Sequence, residues 1–163
     1  MWAAAVPLAR HLGGLAQDWA STSVCELGAG CGLCGLAAVA LGAKRVVLTD
    51  LELKMCQRNA DANFHGADRD RVCVRELHWG RGGDGGKRCC GGLCTHEGFD
   101  MIIGSDLIYT IGAAEAVAET MSMLSKPGTV ALLCNPEVSE VSSLLLQHPA
   151  TYSLHYIGGV GPM

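Results

Sequence analysis

The residues with the clearest chemical purpose form one run, Val24-Cys25-Glu26-Leu27-Gly28-Ala29-Gly30-Cys31-Gly32-Leu33. An apolar strand ends here at a glycine-rich turn, and a helix follows. Glycines at alternate positions let the backbone turn sharply and approach a ligand with no Cβ in the way. In open α/β sheets, ligands bind beyond the carboxyl ends of the strands. A dinucleotide fingerprint of the form G-x-G-x-x-G needs a glycine at position 33, where Leu33 stands. The order found, Glu26 and then Gly28, Gly30 and Gly32, suits a ligand without a pyrophosphate, the loop wrapping an amino-acid moiety. A tight structural turn without a ligand is the alternative.

A second feature narrows the ligand. Val46-Val47-Leu48-Thr49-Asp50 reads as a strand ending in a carboxylate, 22 residues after Gly28. An acidic residue there can accept hydrogen bonds from both hydroxyls of a ribose. NAD and S-adenosylmethionine share that need, so Asp50 supports a nucleoside without choosing between them. The same side chain could instead cap a helix beginning at Leu51.

These residues need a frame, and the hydrophobic pattern supplies one. Short apolar runs predict buried strands at Ser23–Leu27, Arg45–Thr49, Val72–Leu77, Phe99–Ser105 and Thr129–Cys134. Leu33, Leu36, Ala37, Ala40 and Leu41 recur at helical spacing, as do Ala114, Val117, Ala118 and Met121, with Thr110 placed as an N-cap. Further helices are expected over Leu51–His65 and Val138–His148. Strand–helix alternation implies parallel strands with helices on both faces, and right-handed crossovers make this a doubly wound α/β sheet. We expect a single domain over residues 1–163.

Composition excludes several classes. The net charge is −4, and the densest basic stretch, Arg69 to Arg88, is interrupted by acidic residues. A protein that tracks phosphates carries an unbroken basic stripe, so nucleic acid is not an expected partner. Nothing approaches the ~20 apolar residues that span a bilayer, so a membrane is not expected either. Pro7, Arg10 and His11 break the apolar start, and no basic segment precedes it, which argues against a signal peptide. Nine scattered cysteines, several in predicted core elements, fit a reducing compartment better than a disulfide framework. A cytoplasmic location, extending to the nucleus, is expected. Residues 81–98 are rich in glycine and hold Cys89, Cys90, Cys94 and His96. We expect a flexible loop there, and no metal, because those cysteines lack C-x-x-C pairing.

Several blocks, in order, resemble one family. Met1-Trp2-Ala3-Ala4-Ala5 with Leu8-Ala9 resembles its W-x-A-A-x-x-L-A helix, and Glu26–Leu33 its E-L-G-A-G-T-G-L turn. Leu48-Thr49-Asp50, the pair Asn59 and Asn63, the block Leu77-His78-Trp79-Gly80, and Gly104-Ser105-Asp106-Leu107-Ile108-Tyr109 are similar to its later motifs. The family is the methyltransferase-like group of seven-strand protein-lysine methyltransferases, and the likeness covers roughly positions 2 to 135.

The resemblance implies a Rossmann-like fold and S-adenosyl-L-methionine as cofactor. It places Gly28, Ala29 and Gly30 along the methionine moiety, behind Glu26. It gives Asp50 the ribose, Trp79 the adenine and Ser105 a backbone contact, and it has Trp2 close the pocket. Asp106 and Tyr109 would face the target amine. From chemistry alone, Trp2 and Trp79 could be core aromatics, Asp106 could cap the next helix, and Tyr109 could be half-buried with its hydroxyl in water. The implied substrate is a protein: a chaperone, an ATPase or a translation factor. Methylation of a protein histidine or a small molecule is the alternative activity, and a catalytically silent binding module the alternative class. A monomer is expected.

The chain departs from the family in three places. Cys31 replaces the Thr of the glycine turn, and the 81–98 loop is longer. Thr151 to Ile157 reads as a sixth strand, but Gly158 to Met163 cannot supply the seventh, so we expect truncated C-terminal strands and an unpaired edge on the fifth.

Overall fold

A computed structural model describes residues 3–80, 98–135 and 152–158. Trp2, the helix expected over Val138–His148, and residues 81–97 with Cys89, Cys90, Cys94 and His96 lie outside the described residues.

Six strands form one sheet: β1 (Ser23–Leu27), β2 (Arg45–Asp50), β3 (Val72–Glu76), β4 (Phe99–Ser105), β5 (Ser125–Asn135) and β6 (Tyr152–Gly158). Their order is β3-β2-β1-β4-β5-β6, and every pairing is parallel. The helices are α1 (Ala5–Gly14), α2 (Leu33–Ala40), α3 (Lys54–Asn63), α4 (Gly66–Asp70) and α5 (Ile111–Leu124).

Side chains alternate across the strands and feed two cores. Val24, Val46, Leu48, Met101 and Ile103 pack in one layer with Leu8, Leu12 and Leu36 of α1 and α2. Cys25, Leu27, Val47, Ile102 and Leu133 pack in the other with Val117 and Met121 of α5. Truncating one of these, as in Ile102→Ala, removes a fully buried side chain and costs about 2–5 kcal/mol. The expected architecture, a doubly wound α/β sheet, is present.

The differences from expectation have local causes. β5 begins four residues early, directly after α5, and its register with β4 jumps between Phe99↔Ser125 and Met101↔Val130. Pro127 and Gly128 sit in that bulge, the latter at φ +90°, which is why the sequence reads as a break. α3 starts three residues late because the Asp50 carboxylate takes the amides of Leu51 and Glu52 and holds the chain in a turn. The short α4 has no buried residue and so left no apolar period to read.

The edge of β5 is not left bare. β6 pairs with it directly from Thr129↔Tyr152 to Asn135↔Gly158. Tyr152, Leu154 and Tyr156 pack on the α5 core, so apolar burial supports the ladder that satisfies the edge.

Candidate functional site

The glycine turn joins β1 to α2 with Gly28, Gly30 and Gly32 all in the left-handed region, at φ +58°, +54° and +80°. Residues with a Cβ resist that conformation by about 1–2 kcal/mol each. The turn is tied down from several sides. Ala29 N donates to Thr49 O at 2.9 Å. Asn59 Nδ2 donates to Cys31 O at 2.8 Å, and Cys56 Sγ to Gly30 O at 3.0 Å. α3 therefore props the turn from below, through residues whose role was not assigned from sequence.

Glu26 lies beneath the turn and is 2% exposed. Its Oε2 accepts from Gly35 N at 2.8 Å, which fastens β1 to α2. Burial pushes its carboxyl up to about 7. Gly35 is a close approach: a Cβ there would sit 2.7 Å from Glu26 Oε2 and 2.2 Å from Leu48 Cδ2. Glu26 thus shapes the turn from inside.

Asp50, the last residue of β2, reaches back to the turn. Gly30 N donates to its Oδ2 at 2.7 Å, while Leu51 N and Glu52 N donate to Oδ1 at 2.7 and 3.2 Å. It supports the chain ahead of α3 as well as the turn, but Leu53, not Asp50, holds the N-cap position of that helix.

Beyond β3 the chain crosses the same end of the sheet. Leu77 N donates to Asp50 O, and Gly80 N to Thr120 Oγ1 of α5 at 2.9 Å. Trp79 is held between these anchors. A Cβ on Gly28 would lie 3.0 Å from its Cζ2 and 2.7 Å from Leu107 Cδ2. The indole therefore covers the first glycine, and only glycine fits beneath it.

A cavity of about 420 Å³ opens here, lined by Gly28, Asp50, Leu51, His78, Trp79 and Tyr109 among others. It sits beyond the carboxyl ends of the strands, within the size range of small-molecule sites. Leu51 and His78 were not singled out from sequence. Each adjoins a residue that was, and Leu51 is a large apolar side chain left exposed.

Asp106 and Tyr109 share the segment after β4. Asp106 is the one non-glycine residue with positive φ, +56°, among the described residues. Its N–H donates to Cys134 O, and its Oδ2 accepts from Ala4 N at 3.2 Å, at the start of α1. It takes the amide of Ala4, the N-cap residue of α1, and does not cap the next helix; Thr110 Oγ1 caps α5 by accepting from Ala113 N. Asp106 is not among the cavity's lining residues, nor are Glu26, Ala29, Gly30 or Ser105. Tyr109 does line the cavity and is 75% exposed, well beyond half-buried. Among the described residues, no group of three His, Cys, Asp or Glu side chains could hold a metal ion.

A parallel sheet in this order, with a glycine turn and a strand-end carboxylate on one cavity, defines a Rossmann-like nucleoside-binding domain. Solved methyltransferases share the fold. A predicted O-methyltransferase of Agrobacterium tumefaciens, Atu636, aligns with a TM-score of 0.63 over 96% of this chain and 86% of its own, at 19% identity. The glycopeptide N-methyltransferase MtfA, solved with S-adenosyl-L-methionine, aligns with a TM-score of 0.55 over 78% and 53%, at 16% identity.

The chain belongs to the lysine methyltransferase family, whose model matches residues 1–147. It is 36% identical over 135 residues to the protein N-lysine methyltransferase METTL21A of Danio rerio, covering 82% of this chain and 58% of that protein. The chain thus spans under two thirds of that relative's length.

Proposed function

We propose that this chain is the cofactor-binding part of an S-adenosylmethionine-dependent protein-lysine N-methyltransferase. The observation that carries the reading is the meeting of Gly28, Asp50 and Trp79 on one cavity in a chain of this family. The residues fit the cofactor. Asp50 offers a carboxylate for the ribose, the indole of Trp79 offers a face for adenine, and the Gly28–Gly30 turn meets the methionine moiety with its open space at Gly30, where a Cβ would touch nothing within 4 Å. In the same proposal, Ser105 adds a backbone contact.

When bound, the cofactor supplies an activated sulfonium methyl, so no nucleophilic side chain is required. The protein must align a neutral amine with the S–CH₃ bond. A lysine of pKa ~10.4 costs about 4–5 kcal/mol to deprotonate at neutral pH. An apolar channel lowers that cost by disfavouring the ammonium form. A carboxylate such as Asp106 favours the cation, so its part is to orient the amine, not to act as general base. Tyr109, at the cavity mouth, shapes the approach. The substrate is a protein of the chaperone, ATPase or translation-factor kind, met in the cytoplasm by a monomeric enzyme.

Calorimetry with S-adenosylmethionine and S-adenosylhomocysteine tests the cofactor. Methyl transfer into cell lysate, with mass-spectrometric mapping of the modified residue, tests the reaction. Binding without transfer would mark a silent binding module, and no binding would end the proposal.

A further inference from the structure

Three thiols converge on the glycine turn. Cys31 belongs to the turn itself, Cys34 to the first turn of α2, and Cys56 reaches over from α3. All three are free. Cys34 and Cys56 are fully buried, and each already donates a hydrogen bond, Cys34 Sγ to Ala5 O at 3.3 Å and Cys56 Sγ to Gly30 O at 3.0 Å. Cys31 is half-buried, and its carbonyl accepts from Asn59 Nδ2 of the same helix that carries Cys56. One of the three is therefore open to a reagent, and two stand behind it.

The spacing selects the pair. Cys31-Gly32-Leu33-Cys34 is a C-x-x-C run across the start of a helix that follows a parallel strand. That is the arrangement in which dithiol–disulfide chemistry recurs in α/β proteins. Gly32, between the two, takes a left-handed conformation that turns the chain tightly.

We propose that Cys31 and Cys34 are a redox modification site, whose disulfide withdraws the glycine turn from the cofactor. The effect on the cofactor rests on the reading of the cavity given above. The co-reactant is a small disulfide of the glutathione type. The Cys31 thiolate attacks one of its sulfurs, a mixed disulfide forms, and the first small thiol leaves with a proton. The Cys34 thiolate then attacks the Cys31 sulfur and expels the second small thiol. Two protein thiols are oxidised to one disulfide, and one small disulfide is reduced to two thiols. Exposure sets the order, since Cys34 can be reached only from within the chain. Burial pushes the Cys34 thiol up, which disfavours its thiolate as the first attacker.

Closing the bond draws Cys34 Sγ off Ala5 O and locks a ring over Gly32 and Leu33. The Gly30 amide, two residues before Gly32, then loses its alignment with Asp50 Oδ2.

The test uses the full chain. Reduced protein is incubated with oxidised glutathione, digested without reductant and mapped by tandem mass spectrometry. In parallel, S-adenosylhomocysteine is titrated by calorimetry. The expected result is a Cys31–Cys34 link with at least tenfold weaker binding, reversed by dithiothreitol. In Cys31→Ser, the affinity should be the same with and without oxidised glutathione. A link from Cys31 to Cys56, no link at Cys31, or unchanged affinity in protein shown to carry the Cys31–Cys34 link overturns the proposal. Reduced protein that fails to bind S-adenosylhomocysteine overturns the cofactor reading instead, while the peptide map still judges the disulfide.

Discussion

Gly30 N donates to Asp50 Oδ2 at 2.7 Å, so the turn after β1 and the end of β2 are one unit. A carboxylate offers about four lone-pair sites. Three are engaged, by Gly30, Leu51 and Glu52. A ribose diol needs two. Cofactor entry must therefore release one amide, and the 3.2 Å contact from Glu52 is the longest of the three. The Glu52 amide should shift in NMR spectra on binding S-adenosylhomocysteine. Asp50→Ala should weaken that binding at least tenfold, about 1.4 kcal/mol. Wild-type affinity in this variant would show that Asp50 holds the turn and nothing more.

Gly28 and Gly30 share a left-handed backbone but not their surroundings. A Cβ on Gly28 meets Leu107 and Trp79, whereas a Cβ on Gly30 meets nothing within 4 Å. Gly30→Ala should cost only the backbone strain, about 1–2 kcal/mol. Gly28→Ala adds displacement of the indole and should be the less stable variant by a further 1 kcal/mol, roughly. Urea denaturation compares the two directly, and equal losses would refute the close approach of Trp79 to the turn.

The pH dependence of stability should carry the signature of Glu26. Burial raises its carboxyl from 4.5 to about 7, although the hydrogen bond from the Gly35 amide pulls it back. The folded chain therefore holds this proton more tightly than the unfolded chain does. The stability contributed is complete below 4.5 and is lost as pH climbs through about 7. Glu26→Gln keeps an acceptor for the Gly35 amide and carries no charge. Its stability relative to wild type should rise across that window, by on the order of 3 kcal/mol. A gap that stays flat with pH would rule out the buried carboxyl as its source.

Asp106 has two attachments that can be told apart. Asp106→Ala should abolish methyl transfer while S-adenosylmethionine affinity stays largely intact. Parallel loss of both would mean that Asp106 acts through the cofactor site. The same variant removes the acceptor for Ala4 N, so hydrogen exchange at the start of α1 should quicken.

Much of this molecule was legible along the chain because its signals are local. β1 and β4 occur at the residues expected, since a short apolar run bounded by turns marks a buried strand without reference to its neighbours. The glycine turn was legible because left-handed backbone all but demands glycine, and Asp50 because a carboxylate at a strand end is rarely idle. Tertiary structure decided what those residues face. The Asp106 carboxylate turns to an amide 102 residues away, the Trp79 indole settles over Gly28, and β6 lies along β5. No residue type or spacing encodes such partners. They follow from how the helices and the sheet fill space together, and a pattern read one residue at a time carries no term for that.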